Sequence, residues 1–350
     1  MMRARLLSFG FLVLGACAST SDTASPATID VAKNTWTFVP FSDALCNDGT
    51  STGIGVYKTD SPNLIIYLQG GGACWDYSTC FTLHTATHGP YQDAQFQTTR
   101  VMFEDSALAT TAAKSPYATW NKVFVPYCTG DVHTGNNTAT YDDGAGTKDT
   151  WRHVGRANLD AFMKRVAPTF ASITGLAVSG SSAGGFGAMF NYEAIRDRFP
   201  KATSVLVDDA GPPLAATAVR ESIKTAFATS WGGAPTGSAV CPTCATDWTQ
   251  FLPTLLAKYP NDRFALLSSL QDETISQFMG LSGAQMEDNL RSIAKTQFDP
   301  SPRAKYFYVT GNVHTFLGAT GTTTSQGTQL VPWLQAQLDG TAAWTSVLPP

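Results

Sequence analysis

Leu176-Ala177-Val178-Ser179-Gly180-Ser181-Ser182-Ala183-Gly184-Gly185 is the stretch on which the fold turns. Leu176 to Ser179 reads as a buried strand. From Gly185 to Phe199, the residues Phe186, Met189, Phe190 and Ile195 recur at helical spacing, so this segment reads as a helix that buries one face. Only Gly180 to Gly184 is left to reverse the chain. A turn that sharp strains the backbone and presses the helix against the strand, so it takes glycine wherever a Cβ would collide. Ser182 is expected at its tip with a free hydroxyl, a candidate nucleophile. The helix start behind it presents unpaired N–H groups and the positive end of a dipole, and the N–H of Ala183 is one such donor.

A second glycine-rich turn, Leu68-Gln69-Gly70-Gly71-Gly72-Ala73-Cys74-Trp75, follows the apolar run Leu64 to Leu68. Consecutive glycines at the carboxyl end of a strand let backbone amides face a substrate. The N–H groups of Gly71 and Gly72 are expected to join that of Ala183 around an oxyanion, where one such donor is worth about 2.7 to 4 kcal/mol. A phosphate loop is excluded because no Gly-Lys-Ser/Thr follows. Trp75, with Tyr77 and Phe81, is a candidate wall for an apolar groove.

Further strands are expected at Trp36 to Phe41, Ile54 to Lys58, Lys122 to Pro126, Ser204 to Val207, Phe264 to Ser268 and Tyr306 to Thr310. Helical spacing runs from Trp151 to Val166, and helices are also expected at Ala215 to Thr229, Asp247 to Lys258, Ala284 to Lys295 and Leu330 to Leu338. Strands alternating with helices imply right-handed crossovers. The expected fold class is therefore α/β: a doubly wound, mostly parallel sheet of the α/β-hydrolase type, with helices on both faces, in a single domain from residue 31 to 350. Ligands of such sheets bind at the carboxyl ends of the strands.

A serine needs a base. Of five histidines, His314 follows the last expected strand, the place a nucleophile of this kind requires, whereas His153 falls within a helical pattern. The acid that orients it is expected to be Asp272, after the strand Phe264 to Ser268. Asp209, after the strand beside the nucleophile, is the rival, with a bracing role as its alternative reading. The loop Cys128 to Asp143 offers Asp131 and His133 as substrate-rim candidates. His84 and His88 lack a third ligand, so no metal site and no cofactor are expected.

Arg3 and Arg5, the apolar run Leu6 to Leu14 and the small residues before Cys17 make an export signal too short to span a bilayer. Leu14-Gly15-Ala16-Cys17 fits a bacterial lipoprotein signal over residues 1 to 17, with Cys17 lipidated and anchored to a membrane. Ala18 to Asp30 is expected as a flexible tether. If Cys17 is incidental, the protein is secreted. Six further cysteines in an oxidising compartment favour disulfides, and proximity suggests Cys74 with Cys80, Cys241 with Cys244, and Cys46 with Cys128. Charged residues are only 14% and the formal net charge is −4, which argues against nucleic acid as a partner.

Four blocks together, Leu68 to Cys74, Pro126-Tyr127-Cys128-Thr129-Gly130-Asp131, Gly180 to Gly185 and Ser269-Leu270-Gln271-Asp272-Glu273, resemble the pectin acetylesterase family. That family also contains the carboxylesterase that removes palmitoleate from Wnt proteins. The resemblance implies Ser182 as nucleophile, Asp272 as acid and His314 as base. It also implies an acylated carbohydrate or small ester as partner. Gln69 stands where the family commonly has Glu, and a bulky aromatic common near Gly72 is missing, which implies a differently shaped acyl pocket.

Overall fold

The computed structural model describes residues 27–232 and 241–350. Apart from a two-residue hairpin, Thr324–Ser325 with Thr328–Gln329, the strands among the described residues are β1 Trp36–Leu45, β2 Ser51–Tyr57, β3 Asn63–Leu68, β4 Asn121–Val125, β5 Asn137–Asp142, β6 Lys148–His153, β7 Gly175–Ser181, β8 Thr203–Asp209, β9 Arg263–Ser269 and β10 Ala304–Val309. The helices are α1 Asp93–Thr99, α2 Gly155–Thr169, α3 Ala183–Phe190, α4 Tyr192–Arg196, α5 Glu221–Ala228, α6 Phe251–Lys258, α7 Glu273–Met279, α8 Gly283–Ile293 and α9 Leu330–Asp339. All eight strands read from the sequence belong to one sheet, in the order β1-β2-β4-β3-β7-β8-β9-β10. β1 and β2 run antiparallel, β2 meets β4 antiparallel, and from β4 to β10 every neighbouring pair is parallel.

Side chains alternate across a strand, so a sheet covered on both faces needs apolar residues at every position. β3 shows the consequence: Leu64, Ile66 and Leu68 enter one core and Ile65 the other. The first core packs Leu159, Phe162, Phe186 and Leu252 from α2, α3 and α6. The second packs Phe96 from α1 and Leu330, Trp333 and Leu334 from α9. The expected single α/β domain with helices on both faces is thus observed. All three proximity pairings form: Cys46–Cys128, Cys74–Cys80 and Cys241–Cys244. The first ties the end of β1 to the end of β4.

Two expectations change. Trp151 to His153 is not the start of a helix but the end of β6, which pairs with β5 in a hairpin. α2 begins at Gly155, because Asp131 Oδ2 accepts the Gly155 N–H at 2.7 Å and fixes the helix start from a distant loop. Ile29, counted in the tether, is buried at 2% exposure and donates its N–H to Thr169 Oγ1 at 2.7 Å. The fold therefore begins by Ile29. Cys17 and the signal segment lie outside the described residues. Among the described residues, no helix is long and apolar enough to cross a membrane.

Register delivers the site. Leu68 lies opposite Gly180, Ser181 opposite Asp209, Asp209 opposite Leu267, and Ser269 opposite Val309. The glycine loop, the serine turn, Asp209, Asp272 and His314 thus leave one sheet edge side by side, in strand order.

Candidate active site

Ser182 turns the chain at φ 58°, ψ −124°. A non-glycine residue there costs on the order of 1–3 kcal/mol and persists only where its surroundings over-determine it. Here the Ser182 N–H donates to Asp209 O at 2.7 Å, and Ser182 O accepts from the N–H of Gly185 and Phe186 at 2.8 and 3.1 Å. Gly184 is required by close approach, since a Cβ would lie 2.0 Å from Leu68 O.

The two serines have different surroundings. Ser181 is buried; its Oγ accepts from Tyr67 Oη at 2.8 Å and donates to Asp209 Oδ2 at 2.6 Å. Burial raises the Tyr67 phenol well above its ordinary pKa, which keeps it a donor. Ser182 is partly exposed and lines a cavity. Of the two serines, Ser182 alone lines the cavity.

Asp272 is wholly buried and divides its oxygens. Oδ1 accepts the Ile275 N–H at 2.9 Å, capping α7, and Oδ2 faces His314 Nδ1 at 2.8 Å. Two loops hold this pair in place: Ser269 Oγ donates to Val313 O at 2.6 Å, and Gln271 N–H donates to Gly311 O at 3.0 Å. His314 Nε2 is buried, with no hydrogen-bond partner among the described residues. The bond to histidine belongs to Asp272 and not to Asp209. Asp209 instead binds Ser181 and the N–H groups of Phe316 and Leu317.

Of the three expected oxyanion donors, Gly72 and Ala183 share the cavity with Ser182, whereas Gly71 does not line it. Among the described residues nothing accepts from the N–H of Gly72 or of Ala183, the first residue of α3. Gly72 sits at φ +75°, and a Cβ there would lie 2.0 Å from Thr85 O. Tyr127 steadies the loop by donating its Oη to Gly72 O at 2.9 Å while accepting the Val132 N–H at 2.8 Å.

The cavity is otherwise apolar: Phe186, Ile223, Phe227, Trp231, Trp248 and Phe278 are among its walls. Its volume, counted as space open to water centres, is about 30 Å³. None of those aromatics was singled out in the sequence as a wall. Trp75 is not one either. It packs behind the cavity, edge-on to Phe278 at 6.4 Å, and Tyr77 and Phe81 pack on each other, with Phe81 against Trp151.

Asp131 and His133 do not form a rim. Asp131 is 0% exposed and accepts from Thr129 Oγ1 and from the N–H groups of His133, Gly135 and Gly155. Burial still raises its carboxyl above the ordinary value, against those hydrogen bonds. His133 is 2% exposed and gives Nε2–H to Gln69 O at 2.9 Å; burial pushes its pKa down to about 4, so the ring is neutral. His133 supports the glycine loop through Gln69, and Asp131 holds the loop that carries His133. Cys74, Cys80 and His153 lie close enough together to suggest a metal site. The two sulfurs are joined to each other, however, and His153 bonds Tyr141 Oη and Thr129 O.

The sequence and the fold are similar to those of known proteins. The palmitoleoyl-protein carboxylesterase NOTUM of Drosophila melanogaster is 31% identical over 159 residues, covering 43% of this chain and 23% of that protein. Pectin acetylesterase 4 of Arabidopsis thaliana is 27% identical over 175 residues, covering 48% of this chain and 41% of that one. The chain thus spans well under half the length of either relative. In solved structures, the Wnt deacylase Notum from Drosophila superposes with a TM-score of 0.63 at 20% identity, over 91% of this chain and 96% of that one, and shares the fold. The Pectinacetylesterase family model matches residues 28–323. That match runs from just before Ile29 to beyond His314 and takes in every strand of the main sheet, so the chain belongs to the pectinacetylesterase family.

Proposed function

We propose that the protein is a serine carboxylic-ester hydrolase that removes acetyl or similarly short acyl groups from an extracellular, hydroxylated polymer such as an acetylated polysaccharide. The observation that carries this reading is the Asp272–His314 hydrogen bond, set beside a strained Ser182 that opens on a small apolar cavity. Asp272 holds the Nδ1 proton, which leaves Nε2 as the base. Nε2, which has no partner among the described residues, takes the Ser182 proton as Oγ attacks the ester carbonyl, a hydrogen bond that forms once substrate is bound. The N–H groups of Gly72 and Ala183 meet the oxyanion. The alcohol leaves with the proton from His314, and water, activated by the same nitrogen, releases the acid from Ser182.

Cavity size supports a short acyl group over a long one. Only about 30 Å³ is open to the centre of a water-sized group, so the aromatic walls leave a narrow slot beside Ser182. An acetyl methyl fits; a long chain must displace Phe227, Trp231 or Trp248. Three disulfides accord with export, and lipidation of Cys17 would hold the protein at a bacterial membrane. The test is a panel of p-nitrophenyl esters from acetate to palmitate, beside acetylated xylan and acetylated pectin. Rates should fall steeply beyond butyrate. A maximum at octanoate or longer would overturn the short-acyl reading, and unchanged rates for Ser182→Ala would overturn the esterase mechanism.

A further inference from the structure

Asp209 is wholly buried and is not the acid that faces histidine, yet four hydrogen bonds from two separate loops converge on its carboxylate. From the nucleophile turn, Ser181 Oγ donates to Oδ2 at 2.6 Å, with Tyr67 behind it. From the histidine loop, the Phe316 N–H donates to both oxygens at 3.0 and 2.9 Å and the Leu317 N–H to Oδ2 at 2.9 Å. The backbone takes part as well, since Asp209 O accepts the Ser182 N–H at 2.7 Å. One residue therefore grips the segment carrying Ser182 through its main chain and the segment just past His314 through its side chain.

Backbone strain gathers at the same point. Ser182, Ala210 and Thr315 have φ of 58°, 63° and 68°, a region that residues other than glycine rarely adopt. Ser182 is bonded to Asp209, Ala210 follows it, and Thr315 lies between His314 and the clamped Phe316. A carboxylate serves this purpose because all its partners are donors; an amide would turn an N–H₂ toward one of them. Burial raises the Asp209 carboxyl to about 6, against the pull of these hydrogen bonds, so holding the anion there is costly.

Resting on the Ser182–His314 mechanism above, we propose that Asp209 is a positioning residue that registers the histidine loop against the nucleophile turn, so that the distance from His314 Nε2 to Ser182 Oγ is set by a side chain that touches neither substrate nor either reacting atom. Misplacing a base by about 1 Å can cost roughly 100-fold in rate. Asp209→Asn should lower kcat on p-nitrophenyl acetate by about 10- to 100-fold with KM within about twofold, since the ester still meets the same cavity and oxyanion donors. The double mutant with His314→Ala separates positioning from general loss of structure. If Asp209 acts through His314, adding Asp209→Asn to His314→Ala should change the residual rate by less than threefold, whereas a folding defect would multiply through both backgrounds. Should Asp209→Asn fail to fold, Ser181→Ala removes one of the four bonds and should show the same kcat-only signature in smaller measure. Wild-type kcat in Asp209→Asn, or an equal loss in the His314→Ala background, would overturn the proposal. Activity retained in Ser182→Ala would instead overturn the mechanism on which it rests.

Discussion

Replacing Asp272 with Asn changes one oxygen to an amide nitrogen, and the structure dictates which. Oδ1 accepts the Ile275 N–H at the start of α7, so the oxygen of an asparagine stays there and the N–H₂ turns toward His314 Nδ1. Nδ1 must then accept, and the ring proton moves to Nε2, the nitrogen that has to take a proton from Ser182. The expected loss in kcat is about 10⁴-fold, the size seen for the same substitution in another triad enzyme. That loss corresponds to about 5.4 kcal/mol of transition-state stabilisation. Stability should hardly move, because Asn caps a helix about as well as Asp and the lost charge at the α7 start is worth roughly 0.3–1 kcal/mol. Asp272→Ala should be as inactive and should lose a further ~1 kcal/mol with the cap. Stopped assays on p-nitrophenyl acetate give kcat, and thermal unfolding gives stability. A folded Asp272→Asn that keeps more than a tenth of wild-type kcat would refute the tautomer argument.

A serine-directed phosphonate should label Ser182 alone, because the Ser181 hydroxyl is already donating to Asp209; peptide mapping that finds label on Ser181 would reverse the assignment. Phe227→Ala should lengthen the acyl chain accepted, moving the best p-nitrophenyl ester from acetate toward hexanoate, at a stability cost of about 3–5 kcal/mol. His133 is pushed down to about 4 by burial, below its unfolded value, so the stability it contributes is present above about pH 6.5 and lost as pH falls toward 4. Thermal unfolding of wild type should drop across that window, with the slope reduced in His133→Asn. Under the proposed lipidation, Cys17→Ser should move the protein expressed in a bacterium from the membrane to the soluble fraction; unchanged fractionation would overturn that proposal.

Much of the fold was legible because β3, β4, β7, β8, β9 and β10 are covered on both faces and so carry apolar runs at their centres, with polar residues gathered toward their ends. The missed hairpin is the contrary case. β5 alternates exposed Thr138, Thr140 and Asp142 with Ala139 and Tyr141, and Trp151 in β6 sits at a spacing from Val154 and Leu159 that also suits a helix. Only the Asp131 contact to Gly155 decides where α2 begins, and that contact is tertiary. α7 was missed although its signals were present: an N-cap Asp272, Glu273 in the first turn and Gly280 left-handed at its end. Asp272 was read as an acid and so was not read as a cap, whereas the structure uses one oxygen for each task.

The polar residues divide along the same line between local and tertiary information. Which serine faces the cavity was legible, since a strand's period of two keeps Ser181 in line with the buried Ala177 and Ser179 of β7, and Ser182 is the first residue off the strand. What Asp131 and His133 do was not. A Gly- and Asn-rich loop reads as solvated, and nothing local reveals that four donors point at one carboxylate or that Val132 and His133 take φ of 47° and 60° around it. Burying an ionisable group is costly unless it is fully hydrogen-bonded. A chain with only 14% charged residues that nonetheless spends Asp131, Asp209 and Asp272 in its interior uses them to hold loops in place. Each of the three collects N–H donors at the carboxyl edge of the sheet: Asp131 within the loop that carries His133, Asp209 between the serine and histidine segments, and Asp272 at the start of α7. The loops that carry the chemistry are therefore fixed by buried carboxylates, and substitutions at these positions should disturb catalysis without any of the three lining the acyl cavity.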